Sequence, residues 1–181
     1  MIWRALKYYF SQSVARRRQR SACNTEPVAY VDWQSYLGRW YEVARYETPF
    51  EFGLADVYAE YAAAEDGKIS ICNYGTDAVG KLFSARAEAV VAGAGQLRVS
   101  FVPFVNFISS LYCVLYVDEL YESALVSNSS GSCLWLLARQ PRVSQDVLDD
   151  LLYEAEQRGF DVSLLVFNSA LKAEPVAARP Q

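Results

Sequence analysis

Leu37-Gly38-Arg39-Trp40-Tyr41-Glu42-Val43-Ala44-Arg45-Tyr46 is the stretch that decides the fold. From Trp40 to Tyr46 it is dominated by aromatic and aliphatic residues, which pack well on a pleated surface, so it reads as a strand. Gly38 lets the chain turn tightly into that strand. Trp40, at its start, is large enough to plug one end of a barrel. Side chains alternate across a strand, so Glu42 shares a face with Trp40. If that face is buried, the carboxylate needs Arg or Tyr partners, or it takes part in recognising a ligand.

Short β-rich stretches separated by turn signals continue beyond this segment. Val57–Ala62 precedes Glu65-Asp66-Gly67, and Lys68–Tyr74 follows. Leu82–Val91 is separated by Gly93-Ala94-Gly95 from Leu97–Val102. Tyr112–Asp118, Ser123–Ser127 and Cys133–Ala138 complete eight candidate strands, the last two joined through Asn128-Ser129-Ser130-Gly131. This pattern predicts an all-β protein, an up-and-down barrel or a sandwich. Phe101–Val117 is nearly long and apolar enough to span a membrane. Pro103, Asn106, Ser109 and Ser110 interrupt it, so two strands with a turn account for it better.

The period changes after Ala138. Ser144 can cap a helix with Asp146 in its first turn and an apolar stripe of Val147, Leu148, Leu151, Leu152 and Ala155, ended by Gly159. Ser163–Phe167 reads as one more short strand. Along Arg86–Ala89 and Arg98–Phe101 the charged positions belong in water. That leaves Ala85, Ala87, Ala89, Leu97, Val99 and Phe101 inside. Alanines facing aromatics leave space, and a barrel of about eight strands is just wide enough to be filled or to hold one ligand.

The 181 residues suit one domain, with 52% hydrophobic, 21% charged and 14% aromatic residues, a composition that argues against disorder. The net charge of -4 gives no electrostatic reason to expect a nucleic-acid partner. Histidine is absent, which removes Ser-His and Cys-His nucleophile pairs and His-ligated zinc or haem. Cys23, Cys72, Cys113 and Cys133 form no C-x-x-C pair. No metal, cofactor or catalytic residue is expected, and both buried thiols and disulfides stay open.

Residues 1–26 form a distinct basic extension, with Arg4, Lys7, Arg16, Arg17, Arg18 and Arg20 and no acid before Glu26. Ile2, Trp3, Leu6, Tyr9, Phe10 and Val14 recur at helical spacing. A basic amphipathic helix suits a membrane surface through residues 1–25, or organelle targeting; a loose extension is the plain alternative. Ser21-Ala22-Cys23 ends like a lipoprotein cleavage site, although Arg20 and the basic run sit where that site needs an apolar stretch. Residues 27–169 form the expected domain and 170–181, with Pro175 and Pro180, a flexible tail.

The opening segment resembles the first signature of the lipocalins, in the form typical of the bacterial lipocalin and apolipoprotein D branch. Tyr116-Val117-Asp118-Glu119-Leu120-Tyr121 is similar to the second signature, and Leu134–Pro141, with Arg139, to the third. The match runs in order from Val31 to Phe167. It implies an eight-stranded antiparallel up-and-down lipocalin barrel, a calyx, with one C-terminal α-helix packed outside. It also implies structural roles for Gly38, Trp40, Asp118, Tyr121 and Arg139, with the Arg lying across the Trp ring. Such a cation–π contact is worth about 0.5–2 kcal/mol. Strand parity aligned with the family points Val57, Ala59, Tyr61, Ile69, Ile71, Asn73, Ala87, Val99, Phe101, Val114, Tyr116, Trp135 and Leu137 inward as candidate ligand contacts. Asn73 is the polar exception, able to orient a head group or a trapped water.

The resemblance implies binding, storage or transport of a hydrophobic small molecule such as a fatty acid, lysophospholipid or sterol. It also implies a membrane-associated or extracytoplasmic place, as a monomer or homodimer. An isomerase or other enzyme on the same barrel is the alternative, with Cys133 as the candidate nucleophile.

Overall fold

The computed structural model describes residues 23–48, 51–101 and 109–168. Helix α1 (Trp33–Tyr36) leads into β1 (Gly38–Tyr46), then β2 (Ala55–Ala63), β3 (Ile69–Thr76) and β4 (Leu82–Gly93). Next come β5 (Gln96–Phe101), β6 (Ser109–Val117), β7 (Ser123–Asn128) and β8 (Leu134–Ala138). Helix α2 (Gln145–Gln157) and β9 (Leu165–Phe167) end the described chain. Each of β1 to β8 pairs antiparallel with the next, and β8 returns to β1, so the sheet closes into the expected eight-stranded barrel. β9 adds to β1 beyond β8, at Ala44–Tyr46. The basic segment up to residue 22, the turn expected within 102–108 and the expected tail lie outside the described residues. Residues 23–26 of the expected extension are bonded to the barrel side: Asn24 N donates to Arg158 O at 2.8 Å, and Arg158 Nη1 donates to Glu26 O at 3.0 Å.

There are two cores. One fills the barrel from Trp40, Tyr36 and Tyr61 through Ile69, Ile71, Ala87, Leu97, Val99, Val114, Val126 and Leu137. The other lies outside, where Val43, Leu115, Leu125, Leu134 and Leu136 meet Leu151 and Ala155 of α2 and Phe160. Ser144 Oγ accepts from Val147 N to start α2, and Gly159, at φ +80°, ends it. Because β6 to β8 are covered on both faces, their sequences are apolar runs and the alternation is hard to read there.

Bulges decide which residues face in. On β1, Glu42 pairs with Leu137 but Ala44 pairs with Leu136, so Val43 is the extra residue. Arg45, opposite Trp135, therefore turns to the inside. On β6, Val114 pairs with Val126 and Tyr116 with Leu125, making Leu115 the extra residue. This corrects the expectation for Tyr116. It packs against the outer core beneath α2, because the bulge reverses the parity that strict alternation would give it.

Candidate functional site

The site is built on a sealed floor. Gly38 (φ +99°) adopts a conformation that favours glycine, and a Cβ there would come 3.3 Å from Arg139 Nη1. Arg139 lies over Trp40, with its guanidinium carbon 3.9 Å from the ring centroid. It donates from Nε to Tyr121 O (3.0 Å), Nη1 to Arg39 O (3.0 Å) and Nη2 to Ser35 O (2.6 Å). Trp40 is fully buried and its Nε1 donates to Tyr36 O at 2.8 Å. Asp118 caps the β6–β7 turn by accepting from the amides of Leu120, Glu122 and Ser123 and from Ser123 Oγ. Burial pushes the Asp118 carboxyl up, but those donors outweigh it and hold it below the ordinary aspartate range. Tyr121, at φ +58°, turns its hydroxyl to accept from Asp32 N at 2.8 Å.

Just inside this floor three tyrosines meet. Tyr36 from α1, Tyr61 from β2 and Tyr112 from β6 bring their hydroxyls together, with Tyr36–Tyr112 at 2.7 Å and Tyr61–Tyr112 at 3.1 Å. The Tyr36 ring packs tilted on Trp40 and edge-on to Tyr61. Burial pushes the Tyr61 phenol up to about 12 and those of Tyr36 and Tyr112 well above the usual tyrosine value. The three groups are neutral hydrogen-bonding partners, not acids. Tyr112 shared the inward parity of Val114, a signal present in the sequence; Tyr36, ahead of the first strand, carried none.

Towards the open end lies a charged cluster. Arg45 is 4% exposed and Glu42 is 7% exposed. Arg45 Nη1 donates to Glu42 Oε2 at 3.3 Å, and Nη2 donates to Glu47 Oε1 at 3.5 Å and to the carbonyls of Glu51 and Leu54 at 2.9 Å. Glu51 Oε2 accepts from Thr48 Oγ1 at 2.7 Å, and Glu51 Oε1 accepts from Trp135 Nε1 at 3.3 Å. The cluster thus ties residues 51–54 of the β1–β2 connection to the inner wall. Burial, helped by the neighbouring Glu51 carboxyl, raises the Glu42 carboxyl well above the usual range; Arg45 opposes this but does not cancel it. Strict alternation could not find Arg45, because the bulge at Val43 moves it inward.

The sequence-derived inward residues fall at different depths. Tyr61 and Ile71 occupy one cross-strand row with Ala87 and Phe101, and Ala59 and Asn73 the next row towards the open end, with Ala85. Ile69 pairs with Ala63 and Ala89 near the closed end, and Leu137 pairs with Glu42. Val57, Val99 and Val114 are buried; Trp135 is partly buried beside Arg45. Phe101 is 37% exposed at the end of β5. Asn73 is half-buried, and its side-chain amide makes no hydrogen bond among the described residues; the residues opposite it on both flanking strands are alanines. Cys133 precedes β8; its Sγ accepts from Asn128 Nδ2 at 3.5 Å and lies 3.9 Å from Ser132 Oγ, neither of which is a base. Burial raises the thiols of Cys23 and Cys113 above their ordinary values. No group of three metal-ligating side chains occurs among the described residues.

A barrel sealed by Trp40 and Arg139 and lined by apolar residues below a polar mouth is a calyx, the architecture of a binding protein for small apolar molecules. The chain belongs to the lipocalin-like family: residues 31–170 match the family model described as a lipocalin-like domain. It is 39% identical over 149 residues to the outer membrane lipoprotein Blc of Vibrio cholerae, covering 80% of this chain and 85% of that protein. It is 28% identical over 174 residues to apolipoprotein D of Macaca fascicularis, covering 90% and 89%. Among solved structures, insecticyanin from the tobacco hornworm Manduca sexta superposes with a TM-score of 0.66 at 18% identity, covering 81% of this chain and 84% of that one.

Proposed function

We propose that the barrel binds one hydrophobic small molecule, lipid-like in class, and stores or carries it unchanged. Asn73 carries this reading: a half-buried amide on an inward row between Ala59 and Ala85, with no hydrogen bond among the described residues. Such an amide is open to the oxygen of an apolar guest whose chain covers Ile71, Ala87 and Val99. Burying the guest's apolar surface drives the association at roughly 25 cal/mol per Å² before ordering costs. Family membership supports the same reading. Binding without turnover is supported by the chemistry at hand: the lumen's tyrosine hydroxyls bond to one another with their phenols raised by burial, and the chain has no histidine.

The test is titration of the lipid-stripped protein with an environment-sensitive apolar fluorophore. Saturable binding displaced by long-chain lipids is expected. Ala87→Phe, which places a ring in the lumen opposite Ile71 and Phe101, should weaken binding at least about tenfold, with the overpacking itself costing about 1–3 kcal/mol of stability. Unchanged affinity in that variant would move the site out of the barrel.

A further inference from the structure

The two ends of the barrel present different surfaces to the outside. At the open end the β3–β4 hairpin projects an apolar tip. Asp77 Oδ1 accepts from the amides of Val79 and Lys81, which fixes the turn and directs that carboxylate onto its own backbone. Val79 at the tip is 87% exposed and Leu82 59%, with exposed Phe83 beside them. Lys81 Nζ lies 5.1 Å from the centre of the Phe83 ring, so the apolar tip carries a cation at its edge. The neighbouring β1–β2 connection, which reaches β3 where Ala55 pairs with Thr76, adds exposed Phe52. Exposed apolar side chains gathered in this way mark an interaction surface.

Charge distinguishes the two ends. The 22 residues before Cys23 hold Arg4, Lys7, Arg16, Arg17, Arg18 and Arg20 and no acid. The chain enters the described structure at the open end, on the β7–β8 turn. There Thr25 Oγ1 donates to Ser129 O at 3.1 Å, and a Cβ on Gly131 would come 3.4 Å from that of Cys23. In a closed ring of eight strands this turn stands across the mouth from the β3–β4 hairpin. A flat surface that touches both therefore lies over the mouth. Among the described residues of the connections at this end, each acid is engaged: Glu47 and Glu51 at Arg45, and Asp77 with its own amides. Asp56, just inside β2, is exposed. The turns of the closed end expose Glu65, Asp66, Glu119 and Glu122, so Leu120, exposed there, sits among carboxylates. An anionic surface is repelled by the closed end and attracted by the basic segment at the open one.

We propose that the open end of the barrel docks on an anionic lipid surface. Val79, Leu82 and Phe83 enter the lipid–water boundary, Lys81 and the basic segment meet the headgroups, and the mouth faces the bilayer. The docking does not depend on which molecule the barrel carries.

The experiment uses the full chain with vesicles of phosphatidylcholine, alone or with about one-third phosphatidylglycerol, read by sedimentation. Binding to the anionic vesicles should exceed binding to the neutral ones by at least about tenfold. Val79→Ser with Leu82→Ser should weaken it by at least about tenfold. Arg17→Gln with Arg18→Gln should weaken it by about as much or more, at roughly fivefold per cation. Leu120→Ser, at the closed end, should leave it unchanged. With brominated acyl chains, the indole added by Val79→Trp should be quenched on binding, and that added by Leu120→Trp should not. Weaker binding in the arginine variant alone, with Val79→Trp unquenched, overturns the inference, because the basic segment would then hold the protein by itself. Quenching at position 120 instead would put the opposite end on the lipid, and equal binding to both vesicles would remove the anionic partner; either result overturns it too. Val79, Leu82 and Leu120 are exposed, so these substitutions remove no packed side chain. Ligand binding in solution is a separate measurement, and the proposed function stands if the docking fails.

Discussion

Each end of the barrel is organised around an arginine, partly exposed Arg139 at the closed end and buried Arg45 towards the open end, and the two are used in opposite ways. At the closed end Arg139 spends its donors on the main-chain carbonyls of Tyr121, Arg39 and Ser35 and lays its face on Trp40. No carboxylate is needed there, and backbone acceptors do not titrate. Towards the open end Arg45 is ringed by Glu42, Glu47 and Glu51, side chains that take up and release protons. Carbonyls fixed by the fold make the closed end a rigid seal. Among the described residues, an excess of carboxyls over cations makes the open end responsive to pH.

The largest expected effect is at the seal. Trp40→Ala should cost about 3–5 kcal/mol in denaturant unfolding, because it removes a fully buried ring, its hydrogen bond to Tyr36 O and the surface on which Arg139 rests. Trp135→Ala, at the partly buried mouth, should cost about 1–2 kcal/mol. Equal losses would break the contrast by showing that the mouth is as tightly packed as the floor.

Asp118→Ala comes next, at about 1–3 kcal/mol, since the amides of Leu120, Glu122 and Ser123 lose their common acceptor. The folded carboxyl is held below its ordinary range, so its contribution is complete above the unfolded aspartate value of about 3.9 and is lost as pH falls through the folded value. Acid titration of stability should therefore be steeper in the wild type than in Asp118→Ala. Parallel curves would mean that Asp118 does not anchor the turn.

Much of this architecture was legible in the residues. Trp40, Gly38, Asp118 and Arg139 act through nearby backbone or through one another, so short motifs carry them. The helix from Gln145 was readable because Ser144 and the apolar stripe are local signals. What escaped depended on register. The bulges at Val43 and Leu115 each insert one residue, which sends Tyr116 out beneath α2 and brings Arg45 in. Their position depends on how two distant strands fit, and no composition marks them. The role of Glu51 was hidden for a related reason: it lies between strands, where no periodicity applies, and reaches Trp135 only because the barrel closes.

The smallest effect sharpens the comparison most. Glu42 is raised chiefly by burial and also by Glu51, with Arg45 opposing, and Glu47 and Tyr61 complete its charged and titratable surroundings. A carboxyl whose folded pKa lies above its unfolded value keeps its proton in the folded state where the unfolded chain has lost it. Stability then declines as pH rises from the ordinary carboxyl value through the folded one. Glu42→Gln keeps an oxygen for Arg45 Nη1, so at acid pH it should match the wild type within about 1 kcal/mol. As pH rises the wild type alone should lose stability, and the difference should move steadily in favour of Gln. Thermal unfolding of both proteins across the acid-to-neutral range reads this directly. A constant difference would mean that Arg45 holds Glu42 ionised, and the mouth would then be a paired, charge-satisfied structure like the floor.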